Sequence, residues 1–227
     1  QNQTGTGGNG GYGGGIYSTI GTLTVNSSTI SGNQLGTGSA FGGDGGGIYA
    51  GGTTYLNHST ISNNFASHDG GGIRAFTTYL MNSILANNTA SVSGPDCCYG
   101  INSLGYNLVE DVSNCVISGD LTGNITGQDP SLGSLQDNGG STRTHALTPG
   151  SPAIDAGHLT QCPATDQRGK ARPVNQCDIG PFEIQSLEST TNSSWPEDTA
   201  VSFGATMVTI TRTLGSTSPL TTTVTKE

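Results

Sequence analysis

A short cassette returns three times within the first ninety residues, and it restricts the fold more than any other feature of the chain. GGGIY (13–17) precedes STISGN (28–33), GGGIY (45–49) precedes STISNN (59–64), and GGGIR (70–74) precedes SILANN (83–88). Self-similarity at such a period marks a solenoid, in which one copy is too small to bury a core alone. Aligning the copies puts Val25, Leu56 and Leu80 in one column, Ile30, Ile61 and Leu85 in a second, and Ile16, Ile48 and Ile73 in a third. Gly and β-branched residues dominate and no 3.6-residue stripe appears, which argues against helices. The expected object is all-β: a parallel β-helix whose strands stack about 4.8 Å apart with alternate residues facing inward. The later copies lie about one coil apart, and the wider first spacing predicts a loop inserted over 34–44.

The polar columns carry two readings each. Asn33, Asn64 and Asn88 end the same strand at one corner. Stacked amides there can bond from copy to copy as a structural Asn ladder, or they can bind a metal or sugar; the ladder is the favoured reading, because Asn is at home in turns. Tyr17, Tyr49 and Arg74 follow the inward Ile, and Tyr55 and Tyr79 precede inward Leu residues, so all five are expected to face outward. They are candidates for a glycan or subunit contact, against the plainer reading of cross-strand stacking that steadies the sheet.

Composition narrows the partners. The net charge of −9 opposes binding to nucleic acid. No segment is long and apolar enough to insert in a membrane, and Gln1 suggests a mature or excised chain. Five cysteines without metal-type spacing, in a charge-poor chain, point to an oxidising compartment. The expected disulfides are Cys162 with Cys177, and Cys115 with one of the adjacent Cys97 and Cys98, with Cys98 placed in the bridged set and one thiol left over.

From Gly94 the repeat degrades. A dense run follows: DPSLGSLQDNGGSTRTHALTPGSPAIDAG (129–157), CPATDQRGKARP (162–173) and CDIGPFE (177–183). With SLGYN and the upstream cassettes, this order resembles the choice-of-anchor Q domain proteins of bacterial surfaces, over about 11–183. The resemblance implies right-handed parallel β-helix repeats and a secreted or cell-surface protein held by interchangeable C-terminal anchors. It implies no reaction and no catalytic residues. Read physically, 1–128 are coils and 129–183 an irregular, disulfide-containing cap over the solenoid's end, locked by Asp155, Asp166, Arg168, Arg172, Asp178 and Glu183. Residues 184–227 form a Ser/Thr-rich β extension. There Trp195, Pro196, Glu197 and Asp198, followed by VTITRT, are similar to the opening strands of a Calx-beta-type or immunoglobulin-like sandwich. Too few residues remain for a whole sandwich.

Two functions follow as expectations. The first is a non-enzymatic extracellular or cell-surface module: a stalk, an adhesin, or a filament subunit that self-associates head-to-tail or by strand exchange. The second is a β-helix that binds or cleaves polysaccharide. No charged residue precedes Asp44, so a carboxylate-lined catalytic groove is hard to build on the coils, and no enzyme is expected. His145 is a possible base, but a lone His of this kind is more often a hydrogen-bonded packing residue. No cofactor is expected, a structural Ca2+ being the one exception left open.

Overall fold

The computed structural model describes residues 3–4, 11–36, 43–158, 160–173, 177–185, 201–203, 206–210 and 224–226. The expected inserted loop lies largely outside the described residues, as do most of the N-terminal end and Trp195 to Asp198. All regular structure among the described residues is β-strand.

Strands recur copy by copy. After β1 (Gln3–Thr4), the first copy holds β2 (Ile16–Ser18), β3 (Thr22–Asn26), β4 (Thr29–Ser31) and β5 (Gln34–Leu35). The second holds β6 (Ile48–Asn57), β7 (Thr60–Ser62) and β8 (Phe65–Ala66), and the third β9 (Ile73–Met81), β10 (Ile84–Ala86) and β11 (Thr89–Ala90). The repeat does not stop at Gly94. β12 (Cys97–Leu104) and β13 (Leu108–Val109) form a fourth copy, and β14 (Cys115–Asp120) and β15 (Ile125–Thr126) a shorter fifth. Here Gly94, Pro95 and Asp96 stand where the earlier copies have three glycines, which hides the match.

Each copy gives one stretch to each of two stacked parallel sheets, and the first three copies also to a third. Sheet I runs β2 and β3, β6, β9, β12, β14; sheet II runs β4, β7, β10, β13, β15; sheet III runs β1, β5, β8, β11. The registers pair Ile16 with Ile48 and Ile48 with Ile73, Val25 with Leu56 and Leu56 with Leu80, and Ile30 with Ile61 and Ile61 with Leu85. These inward columns form the first core; Ile48, Leu56, Ile61, Leu80 and Leu85 are fully buried. Each such side chain contributes about 1.5–3 kcal/mol.

Two glycines show why the triplets are needed. Gly45 has φ +73, a left-handed conformation, and a Cβ there would fall 2.4 Å from the Ile48 carbonyl oxygen. A Cβ on Gly47 would lie 2.6 Å from Gly72 O and 3.0 Å from Asn64 Nδ2. The triplet therefore lets one copy settle on the next and leaves room for the Asn corner.

The segment expected to cap the end lies instead across a side. β16 (Leu132–Gln136) and β17 (Thr144–Leu147) form an antiparallel hairpin. Leu147, Ala153, Ile179 and Phe182 pack with Ile84, Ala86 and Leu108 of sheet II into a second core. Strands β7 and β10 are therefore buried at every residue. Thr60 and Ser62 keep the outward parity expected of them, but outward is not solvent there. Asn82 pins the following loop: its carbonyl accepts from Gly180 N (2.9 Å) and its side-chain oxygen from His158 N (2.7 Å).

The disulfides are Cys162–Cys177 and Cys97–Cys115. Cys98 is a buried free thiol, which corrects its placement among the bridged residues. Parity decides between the neighbours. Cys97 continues the inward column of Ile73, whereas Cys98 follows Arg74 on the outward side.

The contacts divide the chain into Gln1–Gln185 and Ser186–Glu227, slightly beyond the break expected after Glu183. Within the second unit, β18 (Val201–Phe203), β19 (Thr206–Ile210) and β20 (Val224–Lys226) form an antiparallel sheet. No helix among the described residues is long and apolar enough to cross a membrane.

Candidate functional site

The outward face of sheet I gathers rings around one cation. Parallel register puts Tyr17 beside Tyr49, Tyr49 beside Arg74, and Tyr55 beside Tyr79. The centroids of Tyr17 and Tyr49 are 5.5 Å apart, and those of Tyr55 and Tyr79 stack at 4.9 Å. Tyr12 joins the first pair, 4.5 Å from Tyr49. The Arg74 guanidinium lies 5.2 Å from the centroids of both Tyr49 and Tyr99 and donates to the Tyr99 hydroxyl at 2.9 Å. Phe76 stacks beyond Tyr99 at 6.1 Å. Exposure stays high along this row: Phe76 67%, Tyr17 52%, Tyr99 48% and Tyr12 41%. Tyr55 and Tyr79 form a separate pair, half-buried.

Sequence columns miss Tyr12, Phe76 and Tyr99. Tyr99 is displaced by a register shift between Cys98 and Ile101. The available signal was a spacing that drops by one residue, from Cys97 paired with Ile73 to Ile101 paired with Thr78. Tyr99 itself has φ +82, an outlier for a bulky residue. Bulges of this kind re-aim a side chain, and this one sets the Tyr99 ring over Arg74.

A charged corner adjoins the row. Asp44 Oδ1 lies 2.9 Å from His68 Nδ1, and Asp44 Oδ2 lies 3.1 Å from Arg74 Nε. Asp69 Oδ2 is 3.3 Å from the same His68 nitrogen. Burial works against the Arg74 charge, but Asp44 and the Tyr99 and Tyr49 hydroxyls outweigh it and raise the pKa above the ordinary arginine value. Cys98 sits close by; burial, then the Asp69 charge, pushes its thiol pKa up, so it is a poor nucleophile.

The Asn corner is a chain of hydrogen bonds. Asn33 Nδ2 donates to Asn64 Oδ1 and Asn64 Nδ2 to Asn88 Oδ1, each at 2.9 Å, and Asn88 Nδ2 donates to Asp96 Oδ1 at 2.8 Å. All four side chains are buried, so their polar atoms serve one another. Burial pushes the Asp96 pKa up to about 6, against the bonds from Asp111 N and Asn88. A second ladder, not foreseen, runs through Ser59 Oγ, Ser83 Oγ, Asn107 Oδ1 and Asn124 Oδ1, each accepting a backbone N–H from the preceding copy.

The expected polar network forms over sheet II, with one exception. Asp166 holds Arg168 through Oδ2, at 2.7 Å from Nη2 and 2.8 Å from Nε. The Arg168 guanidinium covers the Phe182 ring at 3.7 Å and donates to the Glu183 carbonyl. Arg172 donates to Glu183 Oε2 and Gly180 O, both at 2.6 Å, and to Asp178 O at 3.1 Å. Burial pushes Glu183 above the ordinary carboxyl range, against the pull of Arg172. Asp178 accepts from the backbone N–H of Asp155 and Ile184. Asp155 is the exception, joining through its backbone while the residue is exposed.

His145 joins the hairpin to β4. Its Nδ1 bonds the Gly133 carbonyl at 2.7 Å and so carries the proton; Nε2 then accepts from Ser31 Oγ at 2.7 Å. Burial lowers its pKa. The spacing is that of a nucleophile and base; nearby, Gly32 N bonds Ser62 O and Asn63 Nδ2 bonds Ser62 Oγ.

Among known proteins, no family model, no curated protein and no solved structure matches this chain.

Proposed function

We propose that this chain is a parallel β-helix serving as a non-enzymatic, extracellular binding module, with the aromatic row of sheet I as its working face and a polysaccharide as its ligand. The observation that carries the reading is the row itself: Tyr12, Tyr17, Tyr49, Tyr99 and Phe76 around Arg74, four of the rings 41–67% exposed. Leaving large apolar faces in water forgoes burial energy, and contiguous patches of this kind mark interaction sites. Strands about 4.8 Å apart set the rings in a regular row, with neighbouring centroids 4.5–6.1 Å apart, which a repeating sugar chain can follow, while Arg74 and Tyr hydroxyls bond its oxygens. The displaced backbone at Tyr99 supports a placement selected for binding.

The β-helix assignment draws on the three parallel sheets, each fed in turn by successive copies. The extracellular assignment draws on two disulfides, bonds of an oxidising environment. Membership among the anchor-type bacterial surface proteins belongs to the same proposal. A second reading, head-to-tail self-association, draws on β14, the last strand of sheet I, where Val116 is 70% exposed.

The test is affinity electrophoresis of the full chain through gels containing neutral or acidic polysaccharides. Retardation is expected, and lost in Tyr17→Ala/Phe76→Ala/Tyr99→Ala. Unretarded migration in every gel, or equal retardation of the variant, overturns the reading. Light scattering over a concentration series tests the second: a strictly monomeric chain sinks it.

A further inference from the structure

Asp44, His68 and Asp69 meet where the second and third Gly triplets begin. Gly45 N donates to Asp69 O at 2.9 Å, which seats one corner on the other. The backbone N–H of Asp69 donates to Asp44 Oδ1 at 3.1 Å and fixes that carboxylate. The three ligand atoms, one nitrogen and two carboxylate oxygens, all lie within 4.8 Å of one another. Existing contacts leave this corner incompletely answered. Arg74 Nε lies 3.1 Å from the far oxygen of Asp44 as an ion pair without a hydrogen bond, and Asp69 Oδ1 is likewise buried without a hydrogen-bond partner. A desolvated carboxylate oxygen in that state is costly. The His68 side chain remains 42% exposed, so the corner can be reached from solvent.

We propose that Asp44, His68 and Asp69 bind one divalent ion of the Zn2+ type. Ligand bonds of about 2.0–2.2 Å place tetrahedral donors roughly 3.3 Å apart. His68 Nδ1 already stands 2.9 Å from Asp44 Oδ1 and 3.3 Å from Asp69 Oδ2, so two of the three donor separations are near that spacing, and the third lies within 4.8 Å. The ion takes the place of the proton on Nδ1. Arg74 stays on Asp44 Oδ2 and orients the ligating carboxylate, as outer partners of metal ligands do. A mixed N/O donor set with imidazole suits Zn2+ and its neighbours, whereas Ca2+ takes six to eight oxygens. Three protein donors leave a fourth position open on the solvent side of His68. The site goes beyond the polysaccharide reading and is measured without any sugar.

The experiment titrates the EDTA-stripped full chain with Zn2+ by calorimetry and thermal unfolding, with Ca2+ in parallel. One ion per chain and a saturating rise in melting temperature are expected. His68→Ala and Asp69→Asn, the latter nearly isosteric, should each weaken binding at least about tenfold. His158→Ala should bind as the parent does. Absence of saturable Zn2+ binding, unchanged affinity in the first two variants, loss in His158→Ala, or a preference for Ca2+ overturns the assignment.

Discussion

Sheets I and II take strands from the same repeat and close the same core with their inward columns, yet their outward faces differ. On sheet II, residues 129–185 lie over the face, so Thr60–Ser62 and Ile84–Ala86 are buried throughout. On sheet I the outward residues remain in contact with water, and Phe76, Tyr17 and Tyr99 are about half exposed or more. Their charges differ in kind as well. Above sheet II, Arg172 and Glu183 are 1% exposed and bonded to each other and to backbone. Beside sheet I, His68 stays open to solvent; buried unpaired atoms occur on both sides, Asp69 Oδ1 here and Arg172 Nε above sheet II. The repeat is therefore neutral scaffolding. What covers each face decides whether its polar groups lock the fold or remain available to a ligand.

The largest expected effect sharpens that contrast. Arg172→Ala strands a buried carboxylate and two backbone carbonyls, and should destabilise by about 3–5 kcal/mol in urea unfolding. Arg74→Ala leaves Asp44 with its His68 contact and the Asp69 N–H bond, and should cost less, about 1–2 kcal/mol. Equal losses would break the comparison. Next, Asn64→Ala removes the middle of the ladder and leaves Asn33 N, Ile30 O and Asn88 Oδ1 without that partner, for about 2–3 kcal/mol. A loss under 1 kcal/mol would mean that water replaces the amide.

The pH profile of the urea midpoint separates the ladder from the covered side. Asp96 holds its proton to about pH 6 in the folded chain, against 3.8 as its ordinary value. Its contribution is full below pH 3.8 and fades as pH rises to 6. Burial, then the Arg172 charge, lowers the His58 pKa to about 4 from 6.5. Unfolding is therefore favoured as pH falls from 6.5 to 4, with the opposite sign. Glu183, raised to about 7 from 4.5, acts in the same sense as Asp96, so the test is the difference: between pH 4 and 6 the Asp96→Asn midpoint should rise more with pH, or fall less, than the parent's, and parallel profiles would refute the Asp96 contribution. The smallest effect is on the open face: Tyr17→Ala/Phe76→Ala should change stability by only about 0.5 kcal/mol. A loss above 2 kcal/mol would mean that the row is structural.

Much of the scaffold is legible in the chain because its rules are local. Alternation and a spacing of 24 to 25 residues put Ile48 on Ile73 and Leu56 on Leu80. Asn33, Asn64 and Asn88 fall on one corner for the same reason. Legibility fails where a copy changes length or residue type: Gly-Pro-Asp hides the fourth copy, and the shift after Cys98 hides Tyr99. The charged corner was visible only as acids preceding glycines. That Asp44 and Asp69 share His68 depends on one copy seating on another.

The sequence by itself determined the period, the strand type, the inward columns and the Tyr pairs, because each follows from backbone parity repeated along the chain. Only the tertiary structure decided which face is covered and which cysteine is bridged. It also decided where the acids meet a histidine and an arginine. The covered face depends on how residues 129–185 fold back over strands far away in the chain; the bridged cysteine and the charged corner depend on how one copy seats on the next. The apolar side chains of 129–185 pack against Ile84, Ala86 and Leu108 of sheet II, and sheet I is left with its aromatic face open.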